Sequence, residues 1–137
     1  MSILEAARAA VEAGMSAAQE RGVRVAVVVI DHSFTPVFLA RSDGAFPSSV
    51  AIAQAKASTA LNFGSPSATM AARVSAENKV ALSMVDRRLM FVGGGVPIRS
   101  AGAVVAAVGV SGASEEDDAA LAEQAAAAAE AVLAADD

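Results

Sequence analysis

The chain contains no cysteine, no tryptophan and no tyrosine, and it has a single histidine. Without cysteine there can be no disulfide, no thiolate metal site and no cysteine nucleophile. One histidine excludes histidine-rich metal centres. No apolar run approaches the roughly 18 residues needed to cross a bilayer, and the start of the chain lacks a basic n-region followed by an apolar h-region. A cytoplasmic location is the expectation. Basic residues are too few and too scattered to form a stripe: 10 Lys and Arg stand against 15 Asp and Glu, for a net charge of −5. Eight of those acids lie beyond residue 114, with no base among them. Nucleic acid and anionic membranes are therefore excluded as expected partners.

Large side chains are also scarce. Hydrophobic residues make up 55% of the 137 residues, but aromatics only 4%, and alanine supplies much of the apolar content. The length suits one domain spanning residues 1–137. A core poor in bulky groups requires its elements to approach closely, and it would gain stability from oligomerisation.

Ser2 to Glu5 reads as a capping box that opens a helix with apolar positions Leu4, Ala7, Val11, Met15 and Ala18. Gly22 stops it. Val23–Ile30 and Val37–Arg41 read as two strands joined by a turn over Asp31–Pro36. Pro47 is expected to open a second helix through Leu61, and Ser65-Pro66 a shorter third. Residues 76–88 read as a loop carrying a helical turn. Leu89–Val92, Val96–Arg99 and Ala103–Val110 supply three more strands, the last two forming a hairpin around Ser100-Ala101-Gly102. Ser114 caps a final acidic-headed helix. The order α-β-β-α-α-β-β-β-α predicts an α+β fold with a central antiparallel five-stranded sheet flanked by helices.

Several groups are candidates for chemistry. Gly93-Gly94-Gly95 follows Phe91-Val92 but has neither the G-x-G-x-x-G spacing nor the Lys-Ser/Thr of a phosphate loop. It is a flexible turn or tight crossing, or else a backbone lining a ligand. Lys56 and Thr59 share a helix face among alanines, a surface that reads as shallow and open. They are a solvated lysine and a buried threonine, or a cation and a hydroxyl for an anionic ligand. Arg41 and Asp43 are a surface ion pair or a pocket pair near Lys56. His32 reads as a solvent-exposed turn residue, with metal or haem ligation or base chemistry as its other use. No serine lies in a G-x-S-x-G setting, and no catalytic triad is legible.

Taken in order, Val27–Asp31, Ala40–Ala45, Ala53–Ala60, Phe91–Ile98, Val108–Gly112 and Asp117-Asp118 resemble the GlcG/HbpS-like family, also called the haem-degrading or DUF336-type domain. The C-terminal domain of PduO-type proteins is similar. The resemblance covers nearly the whole chain. It implies a profilin-like fold, dimers that build tetramers or octamers, and, in some members, haem as a cofactor. It assigns Thr59, in Lys56-Ala57-Ser58-Thr59-Ala60, to the position implicated in haem binding. The chain departs from haem-binding members in having no histidine near its C-terminus, no Tyr and no Cys, which leaves His32 and, less directly, Met70, Met84 and Met90 as iron-ligand candidates. It also carries Ser33-Phe34-Thr35-Pro36 where relatives usually have glycine.

Three functional readings follow. The first is an oligomeric small-molecule-binding protein for haem or a small carboxylate, its ligand-binding residues Arg41, Thr59, Phe91, Gly93, Gly94 and Gly95 acting with Lys56. The second is a metal-free isomerase or lyase, with Lys56 or Asp43 as general acid/base and the Gly93–Gly95 amides as oxyanion donors. The third is a partner-binding subunit docking through its acidic final helix.

Overall fold

The computed structural model describes residues 1–136. The first helix, α1 (Ile3–Arg21), starts as the capping box requires, with the Ser2 hydroxyl accepting from the Glu5 amide at 3.2 Å. It ends on Gly22 at φ 68°. Its buried stripe comprises Ala6, Ala7, Ala10, Val11, Gly14 and Ala18, while Leu4, expected inside, is largely exposed. Strands β1 (Ala26–Asp31) and β2 (Pro36–Arg41) form the expected antiparallel pair. Helix α2 spans Ser49–Phe63, so Pro47 precedes the helix and does not open it. Similarly, α3 (Ser67–Arg73) starts one residue after Pro66, and Ser65 is not its cap.

Residues 76–88 hold the first larger correction. In place of a loop with one turn there is a ten-residue helix, α4 (Ala76–Val85). The Ser75 hydroxyl caps it by accepting from the Asn78 amide at 3.2 Å. The second correction follows directly: Leu89–Val92 is not a strand. Its backbone is held by side chains of α2 and α3 and joins no ladder. The Met90 amide donates to Thr59 Oγ1 (2.7 Å), and the Val92 carbonyl accepts from Ser67 Oγ (2.7 Å). The sheet therefore has four strands, not five, completed by β3 (Gly95–Ser100) and β4 (Ala103–Ser111). Its order is β2-β1-β4-β3, antiparallel throughout. The β3–β4 hairpin turns on Ala101 and Gly102, both at positive φ (50° and 82°), as the strand-matching two-residue turn demands.

The fold is α+β in three layers. On one face, Val27 and Val29 of β1, Val96 and Ile98 of β3, and Val108 and Val110 of β4 meet α1 and α5 (Glu115–Ala135). On the other, Ala26, Val28, Ile30 and Ala107 meet Ala53, Ala57 and Ala60 of α2. The alternation of β1 thus serves both faces, and its first five residues are fully buried. Small residues set the spacing of the α2 layer: a Cβ on Gly109 would collide with the Ala53 carbonyl, and one on Gly95 with the Lys56 carbonyl. The helix backbone rests almost on the sheet backbone.

Candidate functional site

That close approach decides the surroundings of Lys56. Its helix face, expected to be open because its neighbours are alanines, is covered by the sheet for the same reason. Lys56 is 3% exposed. Its ammonium donates to Asp118 Oδ2 at 3.0 Å and to the Val110 carbonyl at 3.1 Å. Asp118 Oδ1 accepts from the Ala113 amide at 3.0 Å. The buried ion pair thus joins α2, the end of β4 and the first turn of α5. Asp118 shares a helix face with Leu121, Ala122, Ala125 and Ala129, all buried. That stripe was the signal that Asp118 points inward, whereas the acidic run alone reads as a dipole cap.

The glycine run lies beside this pair and is buried. Gly94, at φ 131°, faces the Lys56 stem and the Val110 carbonyl, and its own carbonyl accepts from the Val110 amide at 2.8 Å. The Gly95 amide donates to Ser67 Oγ at 2.8 Å. Ser67, fully buried, therefore bridges the two ends of the run, a role that no sequence pattern marks. Thr59 is also fully buried. Its hydroxyl accepts from the Met90 amide and has the Ala55 and Met90 carbonyls at 2.8 and 3.1 Å for its one proton. Phe91 packs on Phe63 with ring centroids 5.8 Å apart. The structure thus gathers Lys56, Thr59, Phe91 and Gly93–Gly95 around one segment.

Arg41 and Asp43 are not part of that cluster. Arg41 donates to the Ala45 carbonyl at 2.9 Å and forms no ion pair with Asp43. Asp43 lies beside Glu12, Met15 and Ser42 in a depression on the α1 side. His32 is exposed in the β1–β2 turn. There the Asp31 carboxylate accepts from the Ser33 hydroxyl and amide, which hold its pKa below the usual carboxylate value. Among the described residues no group of three or more His, Asp or Glu side chains is placed to hold a metal ion.

The open space next to the cluster is a cleft of about 510 Å³ between α4 and the Leu89–Phe91 segment. Val80, Leu89 and Phe91 give it apolar walls, Met84 and Met90 two thioethers, and Lys79 and Arg87 two cations. Thr59 reaches this cleft only through Met90, whose backbone it clamps. The cleft was not legible from the sequence because half its lining comes from α4, the helix that pattern reading missed.

A family sequence model described as "Haem degrading protein HbpS-like" matches residues 3–127. The chain belongs to the HbpS-like family. The crystal structure of HbpS, known from Streptomyces reticuli, superposes with a TM-score of 0.83 at 36% identity, covering 90% of this chain and 86% of that one. Klebsiella pneumoniae ORFY, of the DUF336 family, gives 0.86 at 31% identity over 93% of this chain and 90% of its own. A PduOC:heme complex gives 0.83 at 25% identity, covering 90% and 91%. A 15.0 kDa protein encoded between dhaT and dhaS in Citrobacter freundii is 36% identical over 115 residues, 82% of this chain and 81% of that protein. No helix among the described residues is long and apolar enough to cross a membrane.

Proposed function

We propose that this HbpS-like protein binds a flat, largely apolar molecule bearing carboxylates, of the haem class, in the cleft between α4 and Leu89–Phe91. The lining carries the proposal. A volume of about 510 Å³ falls within the range of about 300–1,000 Å³ typical of ligand pockets. Apolar walls suit a macrocycle face, Lys79 and Arg87 suit carboxylates, and a methionine thioether is an established axial ligand for haem iron. The donor set therefore fits haem, with Met84 or Met90 holding the iron and the two cations its propionates. Haem would supply redox or oxygen chemistry; the chain's own part is to bind, orient and exclude water. The PduOC relative captured with heme supports the class of ligand.

Of the residues singled out from sequence, Phe91, Met84 and Met90 would contact the ligand. Thr59 would act through Met90, and Lys56 with Gly93–Gly95 would form the rigid backing of the Phe91 wall. Arg41 and Asp43 lie outside the cleft and have no part in this reading. The isomerase or lyase alternative assigns acid–base chemistry to Lys56 or Asp43, but the Lys56 ammonium is already bound to Asp118 and Asp43 lies outside the cluster that holds the Gly93–Gly95 amides. We further propose a homo-oligomer, dimers building a tetramer or octamer. Val80, Met84 and Val85 are 62%, 78% and 87% exposed on a helix that buries none of its residues. A ten-residue helix is marginal without a packing partner. A second copy over α4 would cover those side chains and close the open cleft.

Hemin titration of the purified chain tests the ligand. A Soret shift that saturates at one equivalent, and is weakened about tenfold or more in Met84→Ala/Met90→Ala, is the expected result. An unshifted Soret band rules out haem.

A further inference from the structure

Helix α4 fully buries none of its own residues, so contacts just outside it help to fix its position. One anchor is a contact that neither the cluster nor the cleft uses. The Arg88 guanidinium carbon stands 3.9 Å from the centroid of the Phe34 ring, well within cation–π range. The guanidinium is held in place by Asp86: Arg88 Nε donates to Oδ1 at 3.0 Å, and its terminal nitrogen to Oδ2 at 2.9 Å. Asp86 also accepts from the Arg88 amide at 3.0 Å, so the three residues after α4 form a closed turn with its charged plane laid on an aromatic face.

Phe34 is in turn an unusual residue at its position. It lies in the β1–β2 turn at φ 62°, a conformation that disfavours any bulky L-residue and that glycine adopts freely. The turn is otherwise well provided for: the Phe34 amide donates to the Asp31 carbonyl at 3.0 Å and the Asp31 amide to the Thr35 carbonyl at 3.1 Å. Nothing in the turn itself requires a ring there. The ring packs against the alanine-rich layer under α2 on one side and meets Arg88 on the other. A strained backbone position retaining a large side chain points to a use for that side chain.

We propose that Phe34 and Arg88 form a clasp that fixes the C-terminal end of α4 against the sheet layer, making Phe34 a positioning residue for the cleft wall. Arg88 is flanked by Arg87, Leu89, Met90 and Phe91, all of which line the cleft, so the clasp sets how far α4 stands from the Leu89–Phe91 segment. The clasp itself does not depend on the identity of the ligand. Its effect on binding rests on the haem-class reading of the cleft.

The test separates the two. Amide hydrogen exchange of residues 79–85 is compared, without ligand, in the parent chain and in Arg88→Ala, Phe34→Gly, Phe34→Leu and Phe34→Tyr. Arg88 is half exposed, with its side chain at 52%, so Arg88→Ala keeps the fold. The expected result is exchange about three- to tenfold faster in Arg88→Ala, Phe34→Gly and Phe34→Leu, with parent-like exchange in Phe34→Tyr, which retains the ring. Exchange in α1 and α5, on the other face of the sheet, should not change. Unchanged α4 exchange in Arg88→Ala overturns the clasp, as does an equal acceleration in Phe34→Tyr. Hemin affinity measured in the same variants should fall with the loss of protection. If the parent chain binds no hemin, the ligand reading fails while the exchange data still decide the clasp.

Discussion

Removing one partner of the Lys56–Asp118 pair should be among the most damaging single changes this fold can suffer. Both side chains are 3% exposed, and the ammonium has two protein acceptors at 3.0 and 3.1 Å. Lys56→Met leaves a buried carboxylate whose remaining partner is the Ala113 amide. Asp118→Leu leaves a buried ammonium facing the Val110 carbonyl and an unmatched Ala113 N–H. Breaking a buried ion pair from one side costs about 3–5 kcal/mol. Against a domain stability of about 5–15 kcal/mol, either variant loses from about a fifth to all of it. At roughly 4 °C per kcal/mol, the melting temperature should drop by about 12–20 °C. The double variant Lys56→Met/Asp118→Leu removes both charges and should recover at least half of the loss, because an apolar replacement of a buried pair is often neutral. Urea unfolding of the four proteins measures the coupling. Singles within about 1 kcal/mol of the parent would refute the reasoning, since that is the behaviour of a hydrated surface pair.

Other positions give independent checks. Gly109→Ala should destabilise the fold at the top of the range of about 1–3 kcal/mol for overpacking, read by urea unfolding, because the new Cβ meets the α2 backbone, which cannot swing aside. Thr59→Val should cost about 1–3 kcal/mol by stranding the Met90 N–H, whereas Thr59→Ser, which keeps the hydroxyl, should cost less; both are measured by thermal unfolding. The Asp31 carboxyl, hydrogen-bonded by Ser33, has a pKa below its unfolded value. Its contribution is therefore present above about pH 4 and lost as the pH falls through the lower folded pKa. An NMR titration should place Asp31 below the ordinary carboxylate value and show it rising in Ser33→Ala.

The four strands that form the sheet and the two long helices were legible because their patterns are strong. Ser2, Gly22 and Ser114 mark helix ends at which the structure puts caps. The Ala101-Gly102 turn fixes the hairpin. Two other elements were misread for linked reasons. Leu89–Val92 has a strand's composition, but its backbone groups are held by Thr59 and Ser67, partners distant in sequence that no local pattern displays. Helix α4 has no buried face and so lacks the apolar period by which helices are recognised. For Lys56 and Thr59, sequence placed both on one helix face, but alanine neighbours were compatible with an open surface or with very close packing. The structure shows close packing.

The most direct test is where a ligand makes contact: ferric hemin is paramagnetic, so in a ¹H–¹⁵N spectrum it broadens amides near the iron in proportion to the fraction bound. Binding in the α4 cleft should selectively broaden residues 79–91, centred on Met84 and Met90, with Arg41 and Asp43 unaffected. Broadening centred on Arg41–Asp43 or on His32, with 79–91 sharp, would contradict it.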